Sequence, residues 1–502
     1  MTPIPIIDLF AGPGGLNEGF SQLGESDGAP VFTTIGSFEM ESTAVRTLTL
    51  RAAYRHLLRS DGGVPQDYYS FIRGEIDLAA FKENPLVAEA FAAAETHVHQ
   101  VELGGDADNS ETIIRKALES AGVAHGEQPW VLIGGPPCQA YSLAGRSRRA
   151  NDESFATDKK HFLYREYLQI IRTFAPPVFV MENVKGLLSS TTSGESMFDL
   201  IKRDLENPGV GLRYSIHSLT VANAPELLNP KDFVIRSEQY GIPQKRHRVI
   251  LLGIRDGAFP ENVPVGALEP SDSVTVEHAL NGMPALRSGI SPSGLDSDES
   301  WLSIRERGFG RTEQVGIKRS GRDATLHRGR PAMERTGDPK GPAAYRDWIL
   351  DSRFDWVIQH ESRSHMVKDL ERYQFAAALA KKEGIAPKLR HFPAELLPNH
   401  KNAGSEARPF EDRFRVQIAG APSTTVVSHI SKDGHYYIHP DPEQMRSLTV
   451  REAARLQTFP DNYFFVGNRT QQYHQVGNAV PPLLANQIAK VVARLFELAT
   501  RD

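Results

Sequence analysis

Cysteine is almost absent from this chain: there is one in 502 residues, Cys138. A single thiol cannot close an intrachain disulfide or build a zinc site of the multi-thiolate kind. Long apolar runs are missing as well, so no segment is suited to span a bilayer. The opening Met1-Thr2-Pro3-Ile4-Pro5 lacks the basic and apolar regions of a secretory signal. A reducing cell interior is the expected home, and no membrane or metal partner is expected. A strong net charge is lacking too, at −5, so bulk charge does not announce a nucleic-acid partner. The distribution says more. Residues 256–300 carry a net −7, and residues 301–440 carry 24 basic and 17 acidic side chains, a net +7. Such segregation can give a basic patch suited to phosphates. Hydrophobic content of 40% and charged content of 24% are those of an ordinary globular protein. The length suits two or three domains.

What is present in the first half is alternation. Apolar strand-like runs at Ile4 to Phe10, Thr33 to Met40, Val98 to Leu103, Trp130 to Ile133 and Val178 to Met181 are interleaved with helical patterns. Further strands are expected near Tyr214 to Leu219 and Val249 to Ile254. Helices are expected at Gly15 to Leu23, Ser42 to Leu58, Glu111 to Ser120, Phe162 to Phe174 and near Met197 to Leu205, with a mostly helical insertion over residues 60–96. This pattern predicts an α/β fold with a doubly wound, mainly parallel sheet and helices on both faces. Residues 256–445 are rich in Gly, Pro, Ser, Arg and His and predict a smaller, loop-rich domain, with one helix from Met366 to Lys382. Regular structure returns at Thr449-Val450-Arg451-Glu452, a capping-box signal. The spacing of Ala453, Leu456 and Phe459 predicts that this helix continues through Phe459. An amphipathic helix from Pro482 to Leu498 closes the chain.

The chemistry gathers at predicted strand ends, where open α/β sheets bind ligands. Asp8-Leu9-Phe10-Ala11-Gly12-Pro13-Gly14-Gly15-Leu16 joins the first strand to the first helix. Glycines there let backbone approach a ligand at a helix N-terminus. The dinucleotide pattern GxGxxG fails, because Asn17 stands at the third glycine position. Glu39, at the end of the second strand, is placed to accept from two ribose hydroxyls. Cys138 follows Gly134-Gly135-Pro136-Pro137. Two glycines and two prolines break the fourth strand sharply and present the thiol at its end. A free thiol needs activation at neutral pH. Gln244-Lys245-Arg246-His247-Arg248 offers positive partners, and Glu182 is a second, partly desolvated acid able to donate a proton. A zinc nucleobase deaminase is excluded, because it needs further cysteines. A thiol nucleophile suits covalent activation of a ring carbon. An exocyclic amine already has a usable lone pair and needs no covalent help.

Six segments, in this order, resemble the bacterial-type DNA cytosine-5 methyltransferases that use S-adenosylmethionine. They are Asp8 to Phe20, Pro136 to Ser142, Glu182-Asn183-Val184, Tyr240 through Arg248, Arg451 through Pro460, and Gln475 through Pro481. The resemblance implies base flipping and a covalent bond from Cys138 to cytosine C6, with Glu182 at N3. Arg248 would hold the base carbonyl, and Arg246 would support the thiolate or a nearby phosphate. Asp8, Phe10, Ala11, Gly12, Gly14, Gly15, Leu16, Glu39, Met40, Pro136, Leu163, Asn478 and Val480 would line the cofactor pocket. An acid after the third strand would touch the adenine amine: Asp106 on the strand assignment, or Asp77 in the insertion. Gln139, Ser142, Arg146, Arg148 and Arg149 would meet DNA, as would Thr424 and Thr425 in Ser423-Thr424-Thr425-Val426-Val427. Residues 1–255 would form the catalytic domain and 256–445 the target recognition domain, with 446–502 returning to the catalytic domain. The resemblance further implies a monomer acting on duplex DNA in the bacterial cytoplasm, close to the nucleoid, alongside a cognate restriction or defence nuclease. A tRNA cytosine-5 methyltransferase and a non-catalytic DNA-binding relative are the alternatives.

Overall fold

The computed structural model describes residues 2–24, 30–123, 128–137, 163–192, 194–260, 263–314, 316, 326–398 and 411–499. Its centre is an eight-stranded sheet. β1 (Ile4–Leu9), β2 (Phe32–Glu39), β3 (Val98–Gln100), β4 (Val131–Gly134) and β5 (Val178–Val184) are parallel, in the order β3-β2-β1-β4-β5. β6 (Tyr214–His217) and β7 (Val234–Arg236) both flank β8 (His247–Arg255), which runs antiparallel to β5. The order reverses between β1 and β4, and the strand ends there define the crevice of a doubly wound sheet.

The strands are apolar because helices cover both faces. On one face Ile4, Ile6, Val131, Val180 and Ile250 pack with Leu16 and Phe20 of α1 (Gly15–Ser21). On the other, Ile7, Leu9, Leu132 and Met181 are buried with Ile114 of α6 (Ser110–Ser120), Tyr167 of α7 (Leu163–Phe174) and Phe198 of α8 (Met197–Glu206). α2 (Ser42–Arg59) begins a third core. The insertion forms α3 (Gln66–Arg73), α4 (Leu78–Lys82) and α5 (Pro85–Glu95), which join α2 and, from the second half of the chain, Phe354 and Ile358.

Residues 256–445 hold two long helices, α9 (Asp298–Gln314) and α10 (Val367–Glu383), where the sequence predicts one. Gly308 and Gly310 lie inside α9 and lower its helix propensity. Gly308 lets α10 pack close: a Cβ there would lie 1.5 Å from Gln374 Oε1 and would displace that side-chain amide. α11 (Val450–Leu456) starts at the predicted capping box: Glu452 N donates to Thr449 Oγ1 at 3.2 Å and Thr449 N to Glu452 Oε2 at 2.7 Å. It stops at Leu456 and does not reach Phe459, because Thr458 takes a left-handed φ of 65°. The chain then forms α12 (Arg469–Asn478), which the sequence reading leaves unassigned, and α13 (Pro482–Ala499). α13 packs on α1 through two glycines. A Cβ on Gly15 would lie 2.2 Å from Val480 O, and one on Gly19 2.4 Å from Ala485 Cβ.

Candidate active site

Two groups of residues meet at the carboxyl edge of the sheet. The first is the glycine turn. Phe10 and Gly12 both take left-handed backbone, with φ of 54° and 56°. Gly12 N donates to Glu39 Oε2 at 2.8 Å, while Glu41 N donates to the other oxygen at 2.9 Å. Burial raises the Glu39 carboxyl above its ordinary range, and these backbone donors oppose the rise. A Cβ at Gly12 would meet nothing within 4 Å, so the turn has an open side next to Glu39. Met40, next after Glu39, is 55% exposed. Open space, a carboxylate and exposed apolar surface fit a nucleoside bearing a positively charged sulfonium. Asp8 lies deeper and fully buried, and the Asn17 amide is the polar group beside its carboxylate, too loosely placed to satisfy either oxygen. Burial pushes its carboxyl up to about 8, with Asn17 and Arg55 opposing and Glu39 adding to the rise.

The remaining residues predicted for this end are placed as follows. Gly15, Leu16 and Val480 are buried together. Ala11 is also buried, its N–H bonded to Phe38 O. Gly14 caps α1 in a left-handed conformation. Asn478 is exposed at the end of α12, and Leu163 is half-buried at the start of α7. Asp106 is exposed in the loop after β3. Asp77 instead caps α4, accepting from Ala80 N at 2.9 Å.

The second group surrounds Glu182. Its carboxylate forms an ion pair with Arg248 Nε at 2.7 Å, each side chain only 13% exposed. The register explains the pair. Arg248 sits opposite Val184, two residues from Glu182 and on the same face. The other Glu182 oxygen would lie 3.0 Å from a Cβ on Gly135, directly before the buried Pro136. Arg246 is buried and donates from Nη1 to Val426 O at 2.7 Å and Gly477 O at 3.1 Å. Burial and the neighbouring Arg248 charge disfavour its charged form, with Glu182 opposing. Ser423–Thr424 pairs in parallel with Gln244–Lys245, and Thr425 Oγ1 donates to Lys245 O at 2.6 Å. Cys138, Gln139, Ser142, Arg146, Arg148 and Arg149 lie outside the described residues.

Sequence reasoning missed Gln244 and Gln457 as joints of the site. Gln244 is buried, donates to Leu456 O at 2.9 Å and to Gln457 Oε1, and accepts from Val426 N at 3.0 Å. Gln457 in turn donates to Ala479 O. Both fall inside quoted motifs, and their burial next to charged neighbours is the signal that could have found them.

Comparison with known proteins decides what this edge belongs to. Residues 114–494 match the family model for C-5 cytosine-specific DNA methylases. The chain belongs to that family. It is 33% identical to the type II methyltransferase M.Bpa9945I of Bacillus paralicheniformis, covering 97% of this chain and 98% of that one. It is 27% identical to the type II methyltransferase M.AgeI of Thalassovita gelatinovora, again over 97% and 98%. Among solved structures, a prophage-encoded E. coli protein assigned as a DNA modification methyltransferase shares the fold with a TM-score of 0.54. The two are 19% identical over 98% of this chain and 99% of that one. As a C-5 cytosine-specific DNA methylase, the enzyme transfers a methyl group to C5 of cytosine in DNA. Among the described residues no cluster could hold a metal ion, and no helix is long and apolar enough to cross a membrane.

Proposed function

We propose that the enzyme modifies cytosine within a specific duplex sequence, taking the methyl group from S-adenosylmethionine and using a covalent bond from Cys138 to C6. The observation that carries this reading is the Glu182–Arg248 ion pair beside Gly135, three residues before Cys138. A pyrimidine ring carbon becomes nucleophilic at C5 only when C6 is attacked and N3 is protonated or hydrogen-bonded. Glu182 serves N3, and Arg248 holds the base carbonyl while fixing the carboxylate. The base reaches these groups by leaving the duplex, at a cost of a few kcal/mol. The cofactor would supply an electrophilic methyl group on sulfonium; once C5 carries the methyl, loss of the C5 proton to a base breaks the C6–S bond, restores the ring and frees the Cys138 thiolate. Glu39, Phe10, Gly12, Met40, Leu163, Asn478 and Val480 hold the cofactor, with Asp106 at the adenine amine, since Asp77 is committed to capping α4. Arg246 steadies the segments on either side of the base. Gln139, Ser142, Arg146, Arg148, Arg149, Thr424 and Thr425 engage DNA, and residues 256–445 choose the sequence by base-edge contacts.

The setting we infer is a restriction-modification or related phage-defence system in the bacterial cytoplasm, where methylation shields host DNA from a cognate nuclease. Incubation with labelled cofactor and mixed-sequence duplex DNA tests the activity. Label at C5 of cytosine in one sequence context supports it, and transfer to tRNA in preference to duplex overturns it. Cys138→Ala should abolish turnover and adduct formation with a C5-blocked cytosine. Surviving turnover would rule out the covalent route.

A further inference from the structure

The segment Gln244-Lys245-Arg246-His247-Arg248 has two sides. Its inner side is Gln244, Arg246 and Arg248, tied to Leu456 O, to Val426 O and Gly477 O, and to Glu182. Strand alternation sends Lys245 and His247 the other way. Lys245 is exposed and His247 half-buried, whereas Gln244 and Arg246 are buried. Neighbouring chains add charge to this outer side. Arg236 of β7 sits directly opposite His247 in the register. Lys185 follows Val184, which is opposite Arg248 on the other flank of β8. Lys185, Arg236 and Lys245 are all exposed and form no ion pair among the described residues. His247 does have an acid partner, Glu238, at 2.9 Å. Three uncompensated cations from three chain segments thus lie at the strand ends that carry the Glu182–Arg248 pair. The Lys245 backbone is held by Thr425 Oγ1 and by pairing to Thr424.

We propose that Lys185, Arg236 and Lys245 form a rim that grips the phosphates of the target DNA strand beside the extruded cytosine. The inference rests on the reading that duplex DNA presents its base at Glu182. Exposed ammonium and guanidinium groups at neighbouring strand ends suit backbone phosphates and carry no sequence information. The ends of the rim belong to different elements, so it would fix the strand's path past the site rather than read it. β7 contributes through its pairing with the catalytic strand, outside the 256–445 segment.

The test is the double variant Arg236→Gln/Lys245→Gln, compared with the full-length parent. Its melting temperature and cofactor titration should match the parent's, because both side chains are exposed. Its DNA affinity should fall roughly tenfold or more at about 0.1 M salt, and the slope of log affinity against log salt should shrink by about 2. The methylated sequence should stay the same. A parental salt slope and affinity would overturn the rim, and so would a changed sequence preference with an unchanged slope. If the parent itself fails to bind and methylate duplex DNA, the underlying reading fails instead.

Discussion

The two halves of the candidate site are built by opposite means. Around Gly12 and Gly15 the work is done by absence of side chains: one glycine faces open space and the other lies against the Val480 carbonyl. Around Glu182 it is done by charge, a carboxylate and a guanidinium held 2.7 Å apart with little water access. The first half is a shape that any added atom alters. The second is a charge balance that an isosteric change can alter without moving an atom. Steric and chemical damage should therefore separate cleanly.

The largest separation is expected for Glu182→Gln. It keeps the shape and removes the proposed proton donor to N3, so turnover should fall by roughly 10²–10⁴-fold while cofactor affinity stays near normal. Loss of cofactor binding in a titration would merge the two halves and break the contrast. Next is Gly15→Ala, whose methyl has no room beside Val480 O. A stability loss of about 1–3 kcal/mol, seen in denaturant melts, should accompany weakened cofactor binding. Gly12→Ala has space among the described residues, but its left-handed φ still costs about 1–2 kcal/mol, so it should cost less stability than Gly15→Ala while its methyl intrudes on the open side proposed for the cofactor.

Asp8 sharpens the comparison by pH. Its carboxyl titrates near 8 when folded, against an ordinary value of 3.8. The folded state therefore holds a proton that the unfolded chain has lost. Stability from this group is complete below about pH 4 and declines as pH rises toward 8. Asp8→Asn should flatten that decline by an amount on the order of a few kcal/mol, read from melts across pH 5–8. A wild-type slope in the variant would assign the decline to other groups. The smallest effect on the site is expected at Thr449→Ala, which removes one cap from α11 and the partner of the buried His360 Nδ1, at about 1–3 kcal/mol of stability, and leaves both halves of the site in place.

Much of the sheet was legible because its strands are short apolar runs between glycine and proline breaks. Val131-Leu132-Ile133 and Val178-Phe179-Val180-Met181 carry that signal and are buried strands in the structure. β7 was not, since three residues between turns have no measurable period. α9 was obscured by Gly308 and Gly310, and only Gly308 answers to a distant neighbour, Gln374 of α10; a Cβ on Gly310 would meet nothing within 4 Å. The end of α11 at Leu456 was masked by apolar spacing that continues past it, because Phe459 packs into the core from a loop. Glu39 and Glu182 could be picked out as acids at strand ends. What could not be seen were contacts such as Val426 N to Gln244 Oε1, which join residues 182 positions apart. Sequence separation of that size leaves no local trace. The buried state of Asp8 was equally hidden, because an aspartate before a glycine turn looks like a ligand-facing group.

The packing of α13 on α1 has a consequence for how the protein is made. Gly15 and Gly19 present a groove that only Val480 through Asn486 can fill. On the ribosome, β1 and α1 emerge long before α13, the last described element. The apolar face of α1 must therefore wait, exposed or chaperoned, through the synthesis of more than 400 residues. A chain stalled before α13 would own Glu39, Glu182 and Arg248 but lack the support that seats the glycine turn. A chain cut before α13 is therefore expected to bind cofactor weakly and to be cleaved readily by proteases, as limited proteolysis of such a truncation would show.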